Sequence, residues 1–303
     1  MAIDKVLDLF CGAGGLSSGF RSRGYTVTAV DVNHAAGTVF EENQLGRVLL
    51  RDLSTDFVNG GYDAVIGGPP CRPWSSINTT RRAAHHPDFS LLSRFFLHVK
   101  KNKPAVFLLE NVPPARPFAE RRAARLKSLG YRTESRLIRY SEFGAPTSRH
   151  RLIMFGARRG DPADFFNLLE TKRRATRTVR DAIGRLANTP EGQVRDHVYP
   201  KFRTLNNYRK YYETGKFGWY ILDWDLPAPS FGNVTKTYTM HPSGWHGKPP
   251  RVISVKEALL LMGFEDKFRF PDGMSLSKRY QMVVDSVSPV FSAAVADSLL
   301  AWS

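Results

Sequence analysis

Short apolar runs alternate with stretches of helical periodicity through the first half of the chain. Residues 6–10, 26–30, 48–50, 64–66 and 105–109 are apolar runs of strand length. Between them, residues 16–23, 35–43 and 91–101 repeat their apolar positions at helical spacing. This β-α-β-α order predicts an α/β protein with a doubly wound, mostly parallel sheet. Residues 132–138 and 152–156 bring the expected strand count to seven, and 118–129 reads as a further, Arg-dense helix with a solvated face. After about residue 175 the alternation stops. Residues 188–250 are rich in Gly, Pro, Tyr, Trp, Lys and Arg and lack long helical periodicity, which predicts a smaller, irregular second domain. Helical patterns return at 255–262 and 290–300. The expected organisation is therefore a first domain over 1–175, a second over 176–250, and a segment over 251–303 that returns to the first.

Charge changes the picture most. Among 303 residues, 44 Lys and Arg face 28 Asp and Glu, a formal net charge of +16 that favours a polyanionic partner. A merely soluble, cationic protein is the plainer alternative. Hydrophobic residues make up 42% and charged ones 24%, which argues against wholesale disorder. The start, Met1-Ala2-Ile3-Asp4-Lys5, has no charged leader followed by an apolar stretch, and apolar runs such as 105–109 are too short to span a bilayer. No signal peptide and no membrane partner are expected. The two cysteines, Cys11 and Cys71, give neither a disulfide framework nor zinc-site spacing and suit a reducing cytoplasm.

Five sites carry candidate chemistry. Asp8-Leu9-Phe10-Cys11-Gly12-Ala13-Gly14-Gly15 follows the first strand and precedes a helix, where glycines let the backbone approach a ligand. It is not a dinucleotide fingerprint, because Ser17 stands at the third glycine position. Asp31 and Asp52, at the ends of the second and third strands, are placed to hold ribose hydroxyls and an adenine amino group; either alone would more often be a surface or capping residue. Gly67-Gly68-Pro69-Pro70-Cys71 closes the fourth strand and holds a thiol at a rigid turn. A small buried cysteine describes Cys11 better than Cys71. Glu110-Asn111-Val112 ends the fifth strand on the same edge, where a carboxylic acid can protonate a ring nitrogen. Arg149-His150-Arg151 aims two guanidinium groups at one side of an extended segment.

Together these motifs, in this order over nearly the whole chain, resemble the DNA cytosine-C5 methyltransferases. The resemblance implies a class I S-adenosylmethionine-dependent (Rossmann-like) methyltransferase fold with a smaller target-recognition domain. It also implies methyl transfer to C5 of a flipped-out cytosine within a specific duplex sequence. Phe10, Gly12, Gly14 and Gly15 would line the S-adenosylmethionine pocket, with Asp31 at the ribose and Asp52 at the adenine; Leu53 and Pro70 would also bind the cofactor and Leu91 would pack on it. Cys71 would add to C6, Glu110 would pair with N3, and Arg151 and Arg149 would support the base and Glu110. Residues 75–88, with Ser75, Arg81, Arg82, His85 and His86, would form the loop that closes over DNA. No third ligand accompanies the two histidines, so no metal is expected. Lys201, Arg203 and Lys236 would contact DNA from the irregular region, and Arg251 opens the segment that organises it. Two positions depart from the family pattern: Thr147 replaces the usual Gln, and Val284-Asp285-Ser286-Val287 replaces Gly-Asn-Ser-Val. The latter leaves Asp285 and Ser286 as the expected cofactor contacts of the returning segment.

The expected partners are double-stranded DNA and a cognate restriction endonuclease, for a protein acting as a cytoplasmic monomer. A transfer-RNA cytosine methyltransferase shares several motifs but usually carries a Cys-Phe-Thr triplet, and this chain has no cysteine after Cys71. Intact Cys71, Glu110 and Arg151 argue against a catalytically dead DNA-binding regulator. A nicotinamide dehydrogenase would need neither Pro-Pro-Cys nor Glu-Asn-Val.

Overall fold

All six residues of Val106–Asn111 are buried, as expected of a strand covered on both faces. In the computed structural model, which describes residues 3–75, 83–214, 220–245 and 250–303, this strand lies within a sheet of seven. The strands are β1 (Lys5–Leu9), β2 (Thr26–Asp31), β3 (Val48–Leu50), β4 (Ala64–Gly67), β5 (Val106–Asn111), β6 (Arg132–Arg139) and β7 (His150–Ala157). Their order is β3-β2-β1-β4-β5-β7-β6. β1 to β5 pair in parallel, while β7 runs antiparallel to both β5 and β6. The seven strands expected from the sequence are all present, and the order reverses direction beside β1, between it and β4.

The helices are α1 (Gly15–Arg21), α2 (His34–Glu42), α3 (Phe89–Asn102), α4 (Arg116–Ala123), α5 (Pro162–Glu170), α6 (Val179–Ile183), α7 (Arg209–Glu213), α8 (Val234–Thr237), α9 (Val255–Leu261), α10 (Leu276–Val284) and α11 (Pro289–Trp302). The helix expected over 118–129 divides. α4 passes into a 3-10 segment, Ala124–Leu129, which Gly130 closes at φ 85°, in the left-handed region that favours glycine. One sheet face packs Leu7, Leu9, Val65, Phe107 and Leu109 against Leu92, Phe95, Phe96 and Val99 of α3 and Ala119 and Ala123 of α4. Burying each large apolar side chain contributes about 1.5–3 kcal/mol. Elsewhere, Gly19 of α1 admits α11: a Cβ there would lie 2.2 Å from Ser292 Oγ, which donates to the Leu16 carbonyl at 2.5 Å.

The chain divides into two compact units: Met1–Arg139, His150–Arg173 and Phe291–Ser303 form the first, and Tyr140–Arg149 and Arg174–Val290 the second. The division at 173/174 lies near the border expected at 175/176. Residues 251–290, however, cluster with the second unit, and only Phe291–Ser303 with the first. In the second unit, Ser254 and Glu257 form a capping box on α9, and the Tyr280 hydroxyl donates to the Ile253 carbonyl at 2.7 Å. The helical stretch Leu276–Trp302 is long and apolar enough to cross a membrane by length and composition, unlike the short runs the sequence suggested, but most of it is buried as core.

Candidate active site

The carboxyl ends of β1, β2, β4 and β5 carry the chemistry-bearing residues of the first unit, at the switch in strand order where α/β sheets bind ligands. β4 reaches that edge only because Gly67 has no side chain: a Cβ would sit 2.5 Å from the Leu9 carbonyl oxygen. The chain then turns through Pro69 and Pro70 to Cys71, a half-buried cysteine. The Cys71 carbonyl accepts from Trp74 N and Ser75 N, both at 3.0 Å, so Cys71 opens a closed turn. Asn111, the last residue of β5, ties this turn down by donating from Nδ2 to the Pro69 carbonyl at 3.0 Å.

Glu110 lies directly beneath. A Cβ on Gly68 would be 3.1 Å from Glu110 Oε2, so the loop carrying Cys71 crosses over that carboxylate. Glu110 pairs with Ile153 across β5 and β7, which puts Arg151 diagonally next to it on the same face. Arg151 Nε stands 3.0 Å from Glu110 Oε1, and each side chain is only about a tenth exposed. Arg151 also donates from Nη1 to the His150 carbonyl at 2.8 Å. Such a pair is held by its mutual attraction against a desolvation cost that either partner alone could not offset.

Arg149 lies just before β7. It belongs to the second unit, is buried, and donates from Nη2 to the Val284 carbonyl at 2.7 Å. Thr147 is also buried there, its Oγ1 donating to the Ala228 carbonyl at 3.0 Å, which gives that departure from the family pattern a structural role.

The loop after β1 has the geometry of a ligand cradle. Phe10, Gly12 and Gly14 adopt φ values of 63°, 54° and 81°, and a Cβ on Gly12 would meet nothing within 4 Å. Asp31 is fixed beside it, its Oδ2 accepting from Gly12 N at 2.9 Å and its Oδ1 from Asn33 N at 2.8 Å. Val32, next in sequence, is 63% exposed and offers an apolar surface at that edge. Gly15 opens α1, and Pro70 and Leu91 are half-buried. Asp52 is exposed and caps Ser54, a hydrogen bond that holds its carboxyl below the usual range. Leu53 is buried. It is packed in the core cluster, and its carbonyl accepts from Arg94 Nε at 2.7 Å.

Asp8 opens the first motif without a role assigned to it from sequence; it is fully buried on β1 and accepts from Ser17 Oγ at 2.5 Å. Burial pushes its carboxyl up to about 7, and Oδ1 has no hydrogen-bond partner among the described residues. Cys11 is buried and its thiol is pushed up by burial, which fits a packing residue.

Among the expected DNA contacts, Ser75 lies on the Cys71 turn, whereas Arg81 and Arg82 fall outside the described residues. Lys201 pairs with Glu191 at 3.1 Å and, with Arg203, Asn188, Tyr199 and Phe202, lines a cavity of about 510 Å³ in the second unit. Lys236 is exposed on α8. Arg251 is not an open cation: both Nη atoms meet Glu257 at 2.7 Å and the guanidinium lies over Tyr199, so its charge organises the unit instead. Asp285 is exposed at the end of α10 and accepts from Gln281 Nε2 at 2.8 Å, while Ser286 is buried.

Comparison with known proteins identifies the family. The chain is 25% identical over 340 residues to the type II methylase M.HgiDII of Herpetosiphon aurantiacus, covering 95% of this chain and 92% of that protein. It is 28% identical over 328 residues to the type II methyltransferase M1.HphI of Haemophilus parahaemolyticus, covering 97% and 86%. Among solved structures, the Entamoeba histolytica methyltransferase EhMeth superposes with a TM-score of 0.75 at 17% identity, covering 99% of this chain and 98% of that one. The S. pombe Dnmt2 methyltransferase superposes at 0.71 with 18% identity, covering 98% and 97%, a likeness of fold. The family model for C-5 cytosine-specific DNA methylases matches residues 5–301, and the chain belongs to that family.

Proposed function

We propose that this enzyme methylates C5 of a cytosine flipped out of a specific duplex sequence, with Cys71 as nucleophile and Glu110 and Arg151 as its partners at the ring. The observation that supports the assignment is the close approach of Gly68, three residues before Cys71, to the carboxylate of Glu110, which pairs with Arg151 at 3.0 Å. The Cys71 thiolate adds to C6 of the base and pushes electron density onto C5. Glu110, as the acid, hydrogen-bonds and protonates N3, so that the adduct carries no full negative charge. Arg151 holds the Glu110 carboxyl at that position. C5 takes the methyl group, its proton passes to solvent as Cys71 leaves as thiolate, and Glu110 takes back the N3 proton, which restores the ring and the acid.

The residues of the β1 loop fit the family's methyl donor. Open space over Gly12, the left-handed turn through Phe10 and Gly14, and the fixed carboxylate of Asp31 would accept the ribose and backbone-facing parts of S-adenosylmethionine. When bound, S-adenosylmethionine supplies an electrophilic methyl group. Val32 and the exposed Asp52 would flank the adenine. Residues 176–250 of the second unit, with Lys201, Arg203 and Lys236, would position the duplex and read its sequence. A cognate endonuclease cutting the same site, and action as a monomer, complete the reading.

The test is methyl transfer from tritiated S-adenosylmethionine to duplex DNA, total tRNA or neither. Label in DNA at C5 of cytosine supports the proposal. Label in tRNA alone transfers the assignment to RNA.

A further inference from the structure

Five cations and one carboxylate lie between residues 116 and 127. The carboxylate, Glu120, is already engaged: Arg116 Nε and Ser135 Oγ both reach its Oε1 at 2.8 Å. Arg121, Arg125 and Lys127 are exposed and Arg122 is half-buried, and among the described residues none of the four makes an ion pair. A purely solvated face is better served by mixed signs, since like charges on successive turns repel. The patch is also coupled to the nucleophile turn. The guanidinium of Arg122 lies 4.9 Å from the centroid of Phe118, and that of Arg121 lies 5.9 Å from it. Phe118 in turn meets Trp74 at 5.5 Å and Phe89 at 4.8 Å, and Trp74 meets Phe89 at 5.6 Å. Trp74 N donates to the Cys71 carbonyl, so an unbroken series of contacts joins Cys71 to the arginines.

We propose that Arg121, Arg122 and Arg125 form a phosphate-contact surface for the duplex flanking the target base, separate from the recognition region and from residues 75–88. This rests on duplex DNA being the substrate. A duplex whose base reaches Cys71 brings its backbone past the same aromatic cluster. Guanidinium groups partly held over a ring there lose less freedom on binding phosphate than free side chains do. The contacts carry no sequence information and would act on affinity rather than on the site chosen.

The test is the Arg121→Gln/Arg122→Gln/Arg125→Gln variant, assayed for methylation of plasmid DNA across a sodium chloride series. The slope of log KM against log salt is expected to fall by about one for each phosphate that is no longer neutralised. KM at fixed salt should rise severalfold, while kcat at saturating DNA and affinity for S-adenosylhomocysteine hold. Replacing the same three residues by Lys should restore most of the slope. Arg158→Gln/Arg159→Gln, at the Val106 edge of the sheet opposite Glu110, serves as the control for overall charge. A wild-type slope in the triple variant, or an equal decrease per charge in the control, overturns the proposal. Failure of the wild-type protein to methylate the plasmid at all would instead overturn DNA as substrate.

Discussion

Removing Arg151 while keeping Glu110 isolates what the guanidinium does for the carboxyl. The pair is nearly dry, so Arg151→Gln removes one member of a buried ion pair and should lower stability by on the order of a few kcal/mol. Loss of the positioned acid should also lower kcat by about 10²-fold or more, with a smaller change in KM for DNA. Steady-state kinetics and a denaturant titration check both, and an unchanged kcat would remove Arg151 from the active site. Asp8 gives a pH signature. Its folded carboxyl is raised to about 7 from 3.8, so the native state holds a proton that the unfolded chain releases. Stability from this group is therefore fully present below about pH 4 and is lost as pH rises towards 7, by on the order of a few kcal/mol. Asp8→Asn should gain melting temperature over wild type progressively between those values, and a gain independent of pH would contradict the assignment. Cys71 and Glu110 were legible as candidates because both residues sit in short motifs at strand ends. Asp8 was not, because its burial and its bond to Ser17 exist only once α1 folds back on β1.

At the scale of elements, the first five strands were legible as apolar runs of strand length, and the observed ends of all seven lie within two residues of the expected ones. The Arg-rich helix was read too long because periodicity alone does not register the tightening into a 3-10 segment before Gly130. α5 was missed even though Asp161 caps it and Pro162 opens it, since its apolar residues, Phe165, Phe166 and Leu169, resemble a short buried run. Contacts such as Arg149 with Val284, 135 residues away, leave no trace in local sequence. The β5 layer makes the most exacting packing: Phe107 meets Phe96 at 5.9 Å and Tyr131 at 5.6 Å, and a Cβ on Gly156 would lie 2.1 Å from its ring. Phe107→Ala should cost about 3–5 kcal/mol, seen as a lower denaturant midpoint. Gly156→Ala should also destabilise, by overpacking the same ring, and a neutral outcome for both would contradict this layer.

For the whole molecule, the net charge of +16 and the assignment of residues 176–250 to recognition make separable claims. Affinity for DNA should fall steeply with salt whatever the sequence, because phosphate contacts release counterions. Exchanging residues 176–250 for the matching region of a relative should change the methylated sequence while leaving the chemistry intact; bisulfite sequencing reads this directly, and retention of the original site would place recognition elsewhere. The reaction at Cys71 remains the central claim. It is tested most directly by trapping the protein, with S-adenosylmethionine, on duplex DNA copied with 5-fluoro-2′-deoxycytidine in place of deoxycytidine. Fluorine at C5 cannot leave as a proton, so the methylated ring should stay bonded to the enzyme. The account predicts a denaturant-stable complex whose cross-linked peptide contains Cys71, and none with Cys71→Ser. Attachment at another residue, or normal methylation of ordinary DNA by the Ser variant, would contradict it.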